Sequence, residues 1–489
     1  MNRGAGLRKF VAFLLGLMPA LSFAHSFSAP YILPIPFWIY VYGCVATLVV
    51  TFAVLGVFAG SPVVSTASAA GPAPDSAKDV LLKPRWLVPA LRSAAVGLLV
   101  FCIFAGFIGT QDPARNLNVT LFWVIFLLGL AYLGALIGDL YALTDPWRTL
   151  VECLERAGLD LARARVAYPQ GLGYWPAFLF YLALIWMELF VETTPRTLSI
   201  ALLVYSAIVL AGVALFGKAT WFLKADLFSN YFRLIGKLAP VEYVGTPGGE
   251  LRLRFRKPFA GLVSDPPQHV SLVLLVLCML SSTAYDAIYD TQYWTAFFWQ
   301  NLLSVLQPLW GTDLAKAQSL LMTSFLVYRK VGLLVFPFLY LAVYFLALLA
   351  ARLLSRSAIT LRALAAAFCY SLLPIVVAYN FAHYYTFLVA QAQALRWLLT
   401  DPFGLGWNLL GLVSEVELLQ DPSLQMGIIW HTQVVVILVG HIASVAVAHQ
   451  VALRVFSTRR QVIASQLPLL LLMVAYTMLG LWILTLPLA

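Results

Sequence analysis

Charged residues are scarce in this sequence. Asp, Glu, Lys and Arg make up 11% of its 489 residues, and apolar residues make up 62%. Soluble globular chains average about 25% charged and about 45–50% apolar residues. This composition excludes a soluble enzyme, a disordered protein and a nucleic-acid-binding protein. It is typical of membrane spans of about 20 residues each, so we expect an all-α, polytopic bundle of about ten transmembrane helices.

Cysteines and familiar catalytic motifs are also in short supply. The five cysteines are dispersed and form no Cys-x-x-Cys pair, which argues against a disulfide framework or a zinc cluster. The chain has no Gly-x4-Gly-Lys-Ser/Thr, no Gly-x-Ser-x-Gly and no His-Glu-x-x-His. ATPases, α/β-hydrolases and metalloproteases that depend on those motifs are therefore disfavoured.

The first 24 residues have the pattern of a secretory signal peptide. Three basic residues precede the apolar run 10–21, and Ser-Phe-Ala ends at Ala24, as a cleavage site requires. Cleavage there leaves His25 at the mature N-terminus, where its α-amine and imidazole can chelate one copper ion. The alternatives are an uncleaved signal and a His25 that is merely solvated.

The distribution of basic residues predicts the orientation. Ten apolar runs follow the signal, at 36–59, 87–109, 119–139, 175–192, 197–217, 269–288, 331–351, 364–388, 427–452 and 467–487. With the mature N-terminus outside, the inner loops hold 21 Lys and Arg and the outer loops hold 6. Cytoplasmic loops carry such an excess. The sequence therefore predicts a multi-pass protein of the bacterial inner membrane, with a periplasmic N-terminus and lipid as its surroundings.

Three inner loops have features of their own. Residues 60–78, in the loop 60–86, are rich in Ser, Ala and Pro and are typical of a flexible linker. In the loop 140–174, apolar residues recur at helical spacing over 148–166 and predict an amphipathic helix on the inner surface. In the loop 218–268, alternation on both sides of a Gly-Gly pair predicts a small β-hairpin.

Ionisable side chains gather in the outer leaflet. Such groups are costly inside a membrane and usually serve a function. Under the predicted orientation, those in or beside the outer halves of the spans are Glu188, Glu192, Asp286, Asp290, His383 and His431, with His25 at the mature N-terminus. We expect the four carboxylates to be catalytic and the three histidines to be ligands of a divalent metal, zinc or copper.

The carboxylates come in two pairs with i,i+4 spacing, Glu188 with Glu192 and Asp286 with Asp290. On a helix this spacing puts both members of a pair on one face. Two such carboxylates in a low dielectric share a proton or bind a cation. The alternative is that the outermost groups are simply solvated among the lipid headgroups, beside the tyrosines and tryptophans of the interface.

The ninth span contains three histidines, one near each end and one in the middle. His431 and His449 are 18 residues apart, so they share a helix face about 27 Å apart along the axis. His441 lies midway and faces a different direction. Together they suggest a proton path through the bilayer, although such histidines more often bind neighbouring helices.

Six segments, taken in chain order, resemble one known family. They are HSFSAPYILPIPFWIYVYG, LTDPWRTL, YPQGLGYWPAFLFYLALIWMEL, NFAHYYTFLVAQAQ, TDPFGLGWNLLG and VGHIASVAVAHQVALR. They are similar to the polytopic bacterial membrane proteins called fenitrothion hydrolases. The resemblance implies hydrolysis of an organophosphorus triester, an apolar small-molecule substrate, and a related second membrane subunit as partner. The family's loop often has Asp where this chain has Asn408.

Three functions therefore stay open. The first is a membrane-embedded, metal-dependent hydrolase of organophosphorus triesters. The second is an ion- or proton-coupled transporter, or a subunit of a membrane complex. The third is the handling of copper or another metal through His25.

Overall fold

The computed structural model describes residues 36–58, 79–81, 86–161, 163–245, 251–267, 269–306, 314–411 and 426–486. The signal peptide, its cleavage site and His25 lie outside the described residues and stay predictions.

The described residues form helices almost throughout, and the all-α prediction is confirmed. In chain order the helices are α1 (Phe37–Phe58), α2 (Leu87–Ile108), α3 (Leu117–Thr120), α4 (Leu130–Ile137), α5 (Tyr141–Thr144), α6 (Pro146–Arg156), α7 (Trp175–Phe190), α8 (Pro195–Phe216), α9 (Lys218–Thr220), α10 (Leu227–Gly236), α11 (Val270–Tyr289), α12 (Gln292–Phe297), α13 (Leu303–Leu306), α14 (Leu314–Leu354), α15 (Leu361–Cys369), α16 (Leu373–Leu398), α17 (Met426–Val455) and α18 (Arg459–Leu484). π-Helical turns occur at Leu121–Gly129, Trp221–Ala225 and Phe298–Leu302, and 3-10 turns at Gln170–Leu172, Ala260–Leu262 and Tyr370–Leu372.

Ten helical segments in the described part of the chain are long and apolar enough to cross a membrane. They are Phe37–Val57, Leu87–Ile108, Leu117–Ile137, Gln170–Phe190, Pro195–Phe216, Val270–Tyr289, Ser319–Leu354, Leu361–Leu398, Gly427–Val455 and Arg459–Leu484. Each matches one predicted span. The seventh differs most, because α14 begins at Leu314, well before the predicted start at 331. The protein is therefore a multi-pass membrane protein.

A three-stranded antiparallel sheet joins two of the predicted inner loops. Strands β2 (Val241–Gly245) and β3 (Leu251–Phe255) form the hairpin that the alternation predicts. Strand β1 (Asp79–Leu81) pairs with the other edge of β3. A strand of three residues is too short to show an alternating pattern, and it follows a segment with the composition of a linker. The sequence therefore did not predict β1.

The predicted amphipathic helix is shorter than expected. α6 begins at Pro146 and ends at Arg156, followed by Gly158 at φ 99°. A positive φ is easy for glycine and terminates helices. The helix therefore ends just before this turn rather than at residue 166.

Contacts between loops divide them into the two sets that the basic residues predict. On the predicted inner side, β1 pairs with β3, and Lys218 Nζ lies 2.6 Å from Glu155 Oε2. On the opposite side, Thr110 donates its backbone N–H to the carbonyl of Phe403 at 2.8 Å. These contacts each join loops that the basic residues assign to the same side.

Helix α11 is the centre of the bundle. It is apolar all round, and nearly all of its residues are buried, as expected of a helix surrounded by others. It contacts α7, α14, α15, α16 and α18. Asp286, which is 2% exposed, lies in its last turn. The most buried helix thus carries an acidic residue into the core.

Candidate functional site

Two carboxylates that are far apart in sequence meet in the outer part of the bundle. Glu188 lies in the last turn of α7, and Asp286 lies in the last turn of α11. Helices α7 and α11 pack against each other and run in the same direction under the predicted topology. Their acidic residues therefore reach the same depth.

Tyr384 of α16 connects the two carboxylates. Its hydroxyl oxygen lies 2.8 Å from Glu188 Oε1 and 2.9 Å from Asp286 Oδ2. The adjacent residue, His383, has its Nε2 at 2.7 Å from the same Asp286 oxygen. We call these four residues, Glu188, Asp286, His383 and Tyr384, the outer cluster.

Three members of the outer cluster are shielded from their surroundings, and Glu188 is half-buried. The side chain of His383 is 7% exposed and that of Asp286 is 3% exposed, and Tyr384 is buried. Buried polar groups of this kind are stable only when they are hydrogen-bonded. The chain Glu188–Tyr384–Asp286–His383 supplies those bonds across three helices.

Counting hydrogens shows what the outer cluster can do. A phenol has one hydrogen to donate, and an ionised carboxylate has none. If Glu188 and Asp286 were both ionised, two anionic oxygens would compete for the single hydrogen of Tyr384. Both contacts are satisfied when one carboxyl carries a proton, because Tyr384 then accepts from one side and donates to the other. The geometry is therefore suited to hold one proton between two acids.

A second polar chain lies further along α16. Tyr132 donates to Asn380 Oδ1 at 2.8 Å, and Asn380 donates from Nδ2 to Thr283 Oγ1 at 3.3 Å. Tyr132 and Asn380 line a small cavity together with Tyr181 and Tyr231. These residues and Tyr384 could not be predicted from the sequence, because neutral polar side chains carry no charge signal in an apolar run.

The second member of each predicted i,i+4 pair lies beyond the last residue of its helix. α7 ends at Phe190, and Val191 is extended at φ −113° and ψ 133°. Glu192 therefore lies beyond the helix and is exposed. α11 likewise ends at Tyr289, so Asp290 is its C-cap. The pairing that forms is between Glu188 and Asp286, across two helices.

Asp290 has a different partner from Asp286. Arg329 of α14 forms an ion pair with Asp290, and its guanidinium stacks on the ring of Tyr289 at 4.6 Å. The hydroxyl of Tyr285 hydrogen-bonds to the Arg329 carbonyl. Asp290 is thereby assigned to an ion pair that fixes α14 on α11.

His431 lies on α17 and is exposed. Its Nδ1 lies 2.7 Å from the Gly427 carbonyl, and its Nε2 lies 3.3 Å from the hydroxyl of Tyr40. Among the described residues, no group of three or more His, Cys, Asp or Glu is placed to hold a metal. His25 lies outside the described residues, so the full set of metal ligands expected from the sequence stays a prediction.

The other two histidines of α17 are buried at separate places. His441 Nδ1 lies 2.8 Å from the Ile437 carbonyl of its own helix. His449 Nδ1 lies 3.0 Å from Gln466 Oε1 on α18. His449 therefore bonds a neighbouring helix, which was the alternative to a proton path, whereas His441 bonds within α17.

A second buried acidic pair lies outside the spans, on the predicted inner side. Asp145 caps α6 by accepting from the Arg148 N–H at 2.9 Å, and Asp226 caps α10 by accepting from the Ser229 N–H at 2.8 Å. The Ser229 hydroxyl donates to Asp145 Oδ2 at 3.4 Å, and the Tyr205 hydroxyl donates to Asp226 Oδ1 at 2.7 Å. This arrangement joins two inner helices.

Burial, together with the nearby charge of Asp226, raises the pKa of Asp145 to about 7. Burial also raises the pKa of Asp226. Taking a carboxylate out of water disfavours its charged form. We call Asp145 and Asp226 the inner pair. The charge on this pair therefore changes at pH values near neutrality.

No family model matches this chain, and neither the curated proteins nor the solved structures contain a match for it. The function therefore has to be inferred from the site itself.

Proposed function

We propose that this protein binds a proton at the outer cluster and couples its movement to transport or to the work of a membrane complex. The observation that carries the proposal is the single hydroxyl of Tyr384, which lies within hydrogen-bond distance of both Glu188 and Asp286. Ionisable groups buried in a membrane bundle commonly form proton relays. His383 extends the relay by one further titratable group.

The burial of the cluster supports a proton as the bound species. Asp286 and His383 form a pair with almost no exposed surface, and Tyr384 is buried beside them. A proton needs no cavity of its own, since it moves by exchange of hydrogen bonds along such a chain. The Tyr132–Asn380–Thr283 chain, which joins α4, α16 and α11, offers further polar groups about one helical turn from the outer cluster.

Infrared spectroscopy of the purified protein tests this proposal directly. A protonated carboxyl has a C=O stretch that shifts in D2O. We expect such a band near neutral pH, its loss in Glu188→Gln or Asp286→Asn, and its retention in Glu192→Gln. Glu192 is the matched control because it is exposed and four residues from Glu188. A spectrum without the band, or one unchanged in both Glu188→Gln and Asp286→Asn, would overturn the proposal.

Transport is tested separately in proteoliposomes. A potassium diffusion potential drives protons inward, and a trapped pH dye reports their entry. Flux above that of protein-free vesicles, reduced in Glu188→Gln and unchanged in Glu192→Gln, supports proton movement through the cluster. A band without flux would assign the protein to the membrane-complex branch of the proposal.

The pairing of His383 with Asp286 favours hydrolysis as a second candidate function. A carboxylate that accepts from an imidazole orients the ring, and an oriented imidazole acts as a general base. The resemblance to fenitrothion hydrolases supplies the substrate class, an apolar aromatic phosphotriester that reaches the outer part of the bundle from lipid. A metal at Asp286 and His383, completed by His25, would supply Lewis-acid chemistry there.

A nitrophenyl phosphotriester assay separates this candidate from the first. We expect turnover that is lost in His383→Ala and kept in His431→Ala, with bound zinc or copper quantified in the same samples. His431 is the control because its contacts are with Tyr40 and Gly427. Absence of turnover, with zinc or copper added and with any co-encoded membrane protein present, would exclude hydrolysis.

A further inference from the structure

A small cavity lies between five helices in the interior of the bundle. It is bounded by Ala284 of α11, Tyr340 of α14, Tyr379 of α16, His441 of α17, and Tyr476 and Gly480 of α18. Most of its lining is buried. It is distinct from the outer cluster, none of whose four residues lines it.

Three polar atoms on the cavity wall have no hydrogen-bond partner in the described part of the chain. They are the hydroxyl oxygens of Tyr379 and Tyr476 and Nε2 of His441, and all three are buried. An unsatisfied buried polar group is costly, and native structures contain few of them. Three around one cavity indicate a ligand that binds all of them.

The hydrogen bond of His441 defines one property of that ligand. Nδ1 lies 2.8 Å from the Ile437 carbonyl, and a carbonyl can only accept, so Nδ1 carries the ring hydrogen. Nε2 of the neutral imidazole is then an acceptor. The ligand must donate to Nε2, while the two phenols can donate or accept.

We propose that this cavity is an internal water site, in which ordered water donates to His441 and bridges Tyr379 and Tyr476. A buried water typically makes about three hydrogen bonds to otherwise unsatisfied groups, which is the number of free polar atoms here. The space suits water and is too small for an organic substrate. The proposal is independent of whether the outer cluster binds a proton.

Glycines at the helix contacts hold the cavity at this size. A Cβ at Gly440 would lie 2.3 Å from the Cβ of Ala378, and one at Gly480 would lie 3.0 Å from the Tyr379 ring. The absence of these side chains lets α17 and α18 approach α16 closely. That approach brings His441 and Tyr476 to the same cavity as Tyr379.

Infrared spectra recorded before and after exchange into H2 18O test the proposal. We expect a sharp O–H stretch of isolated water that shifts on exchange and is lost in both His441→Leu and Tyr476→Phe. Tyr344→Phe is the matched control, because that buried hydroxyl donates to the Ala365 carbonyl instead. Failure to detect a shifting band that depends on His441 or Tyr476 would overturn the proposal.

Thermal unfolding in detergent gives a second measurement that uses only the conservative variant. If the cavity holds water, Tyr476→Phe removes a satisfied hydroxyl and lowers the Tm. If the cavity is dry, the same change removes an unsatisfied hydroxyl and leaves the Tm equal or higher. An equal or higher Tm for Tyr476→Phe would therefore overturn the water site, whether or not the water band can be separated from other O–H bands in the spectrum.

Discussion

The imidazole of His383 and the carboxylate of Asp286 are 97 residues apart in sequence, yet their nearest atoms lie 2.7 Å apart. Asp286 belongs to the central helix α11, and His383 belongs to α16, which packs beside it. Because both side chains are nearly inaccessible, their interaction is weakly screened by water. The pair therefore fixes the position of the adjacent Tyr384, on which the link to Glu188 depends.

Removal of the Tyr384 hydroxyl should disconnect Glu188 from Asp286. Tyr384→Phe keeps the ring but deletes both contacts, and hydrogen bonds to charged groups contribute about 1.5–3 kcal/mol each. We expect the protonated-carboxyl band to shift or disappear and proton flux to fall at least about tenfold, since 1.4 kcal/mol corresponds to one factor of ten.

Tyr385→Phe is the control for that experiment. Tyr385 is the next residue of the same helix, and its ring packs on Phe381 with 5.4 Å between centroids. Its hydroxyl is outside the outer cluster, so flux and spectrum should match those of the wild type. Equal behaviour of the two phenylalanine variants would show that the bridge has no part in proton binding.

The ion pair of Arg329 with Asp290 should be structural. Arg329→Gln leaves a partly buried carboxylate without its partner, and we expect a loss of about 1–3 kcal/mol in the free energy of unfolding. Adding Asp290→Asn removes the uncompensated charge, so the double variant should recover part of that loss. Thermal unfolding of the wild type, both single variants and the double variant measures the coupling.

The double variant also tests whether Asp290 is catalytic. If its role is confined to the ion pair, proton flux or phosphotriester turnover, whichever the wild type has, persists in the folded double variant. Loss of that activity in a double variant of near-normal Tm would instead support the catalytic assignment made from the sequence.

Stability should depend on pH through the inner pair. An unfolded Asp has a pKa of about 3.9, whereas the pKa of folded Asp145 is about 7. Between those values the folded state binds more protons, so the free energy of unfolding falls as the pH rises. We expect Asp145→Asn to weaken this dependence, with Asp226 keeping the remainder, and to be more stable than the wild type at pH 8 by up to about 4 kcal/mol.

The asparagine of the Asp145→Asn variant would keep one side-chain oxygen to cap α6, which makes the substitution conservative. Tm values measured from pH 4.5 to 8 provide the comparison, with Asp160→Asn as a control for loss of an exposed carboxylate. A wild-type minus variant difference that stays constant across this range would refute the assignment.

The sequence determined the fold more fully than the site. Long apolar runs separated by basic loops suffice to place membrane spans, because the bilayer demands them whatever the tertiary contacts. The depth of each ionisable group followed from the same topology, and it correctly put Glu188, Asp286 and His383 within one region. Their actual contacts depend on how α7, α11 and α16 are rotated and packed, and hydropathy carries no such information.

Helix ends were the second source of error. The i,i+4 argument assumed that the helices extend past Glu192 and Asp290, but they end at Phe190 and Tyr289. The predicted seventh span began at residue 331 and so left out Arg329, which lies within α14. Both errors concern polar residues near the ends of spans. There the apolar run and the helix end at different residues, so the run does not give the helix boundary.

Close packing of α16 and α17 should depend on Gly440. Alanine at this position places its Cβ 2.3 Å from the Cβ of Ala378 and 2.9 Å from the Pro374 carbonyl, so the helices must separate. Overpacking of this kind costs about 1–3 kcal/mol. Gly97→Ala is the matched control, because a Cβ there meets open space in a helix, where alanine is favoured over glycine by up to about 1 kcal/mol. We expect Gly440→Ala to lower the Tm and Gly97→Ala to keep or raise it. The same shift in both variants would mean that helix propensity, rather than the contact with Ala378, sets the stability at these positions.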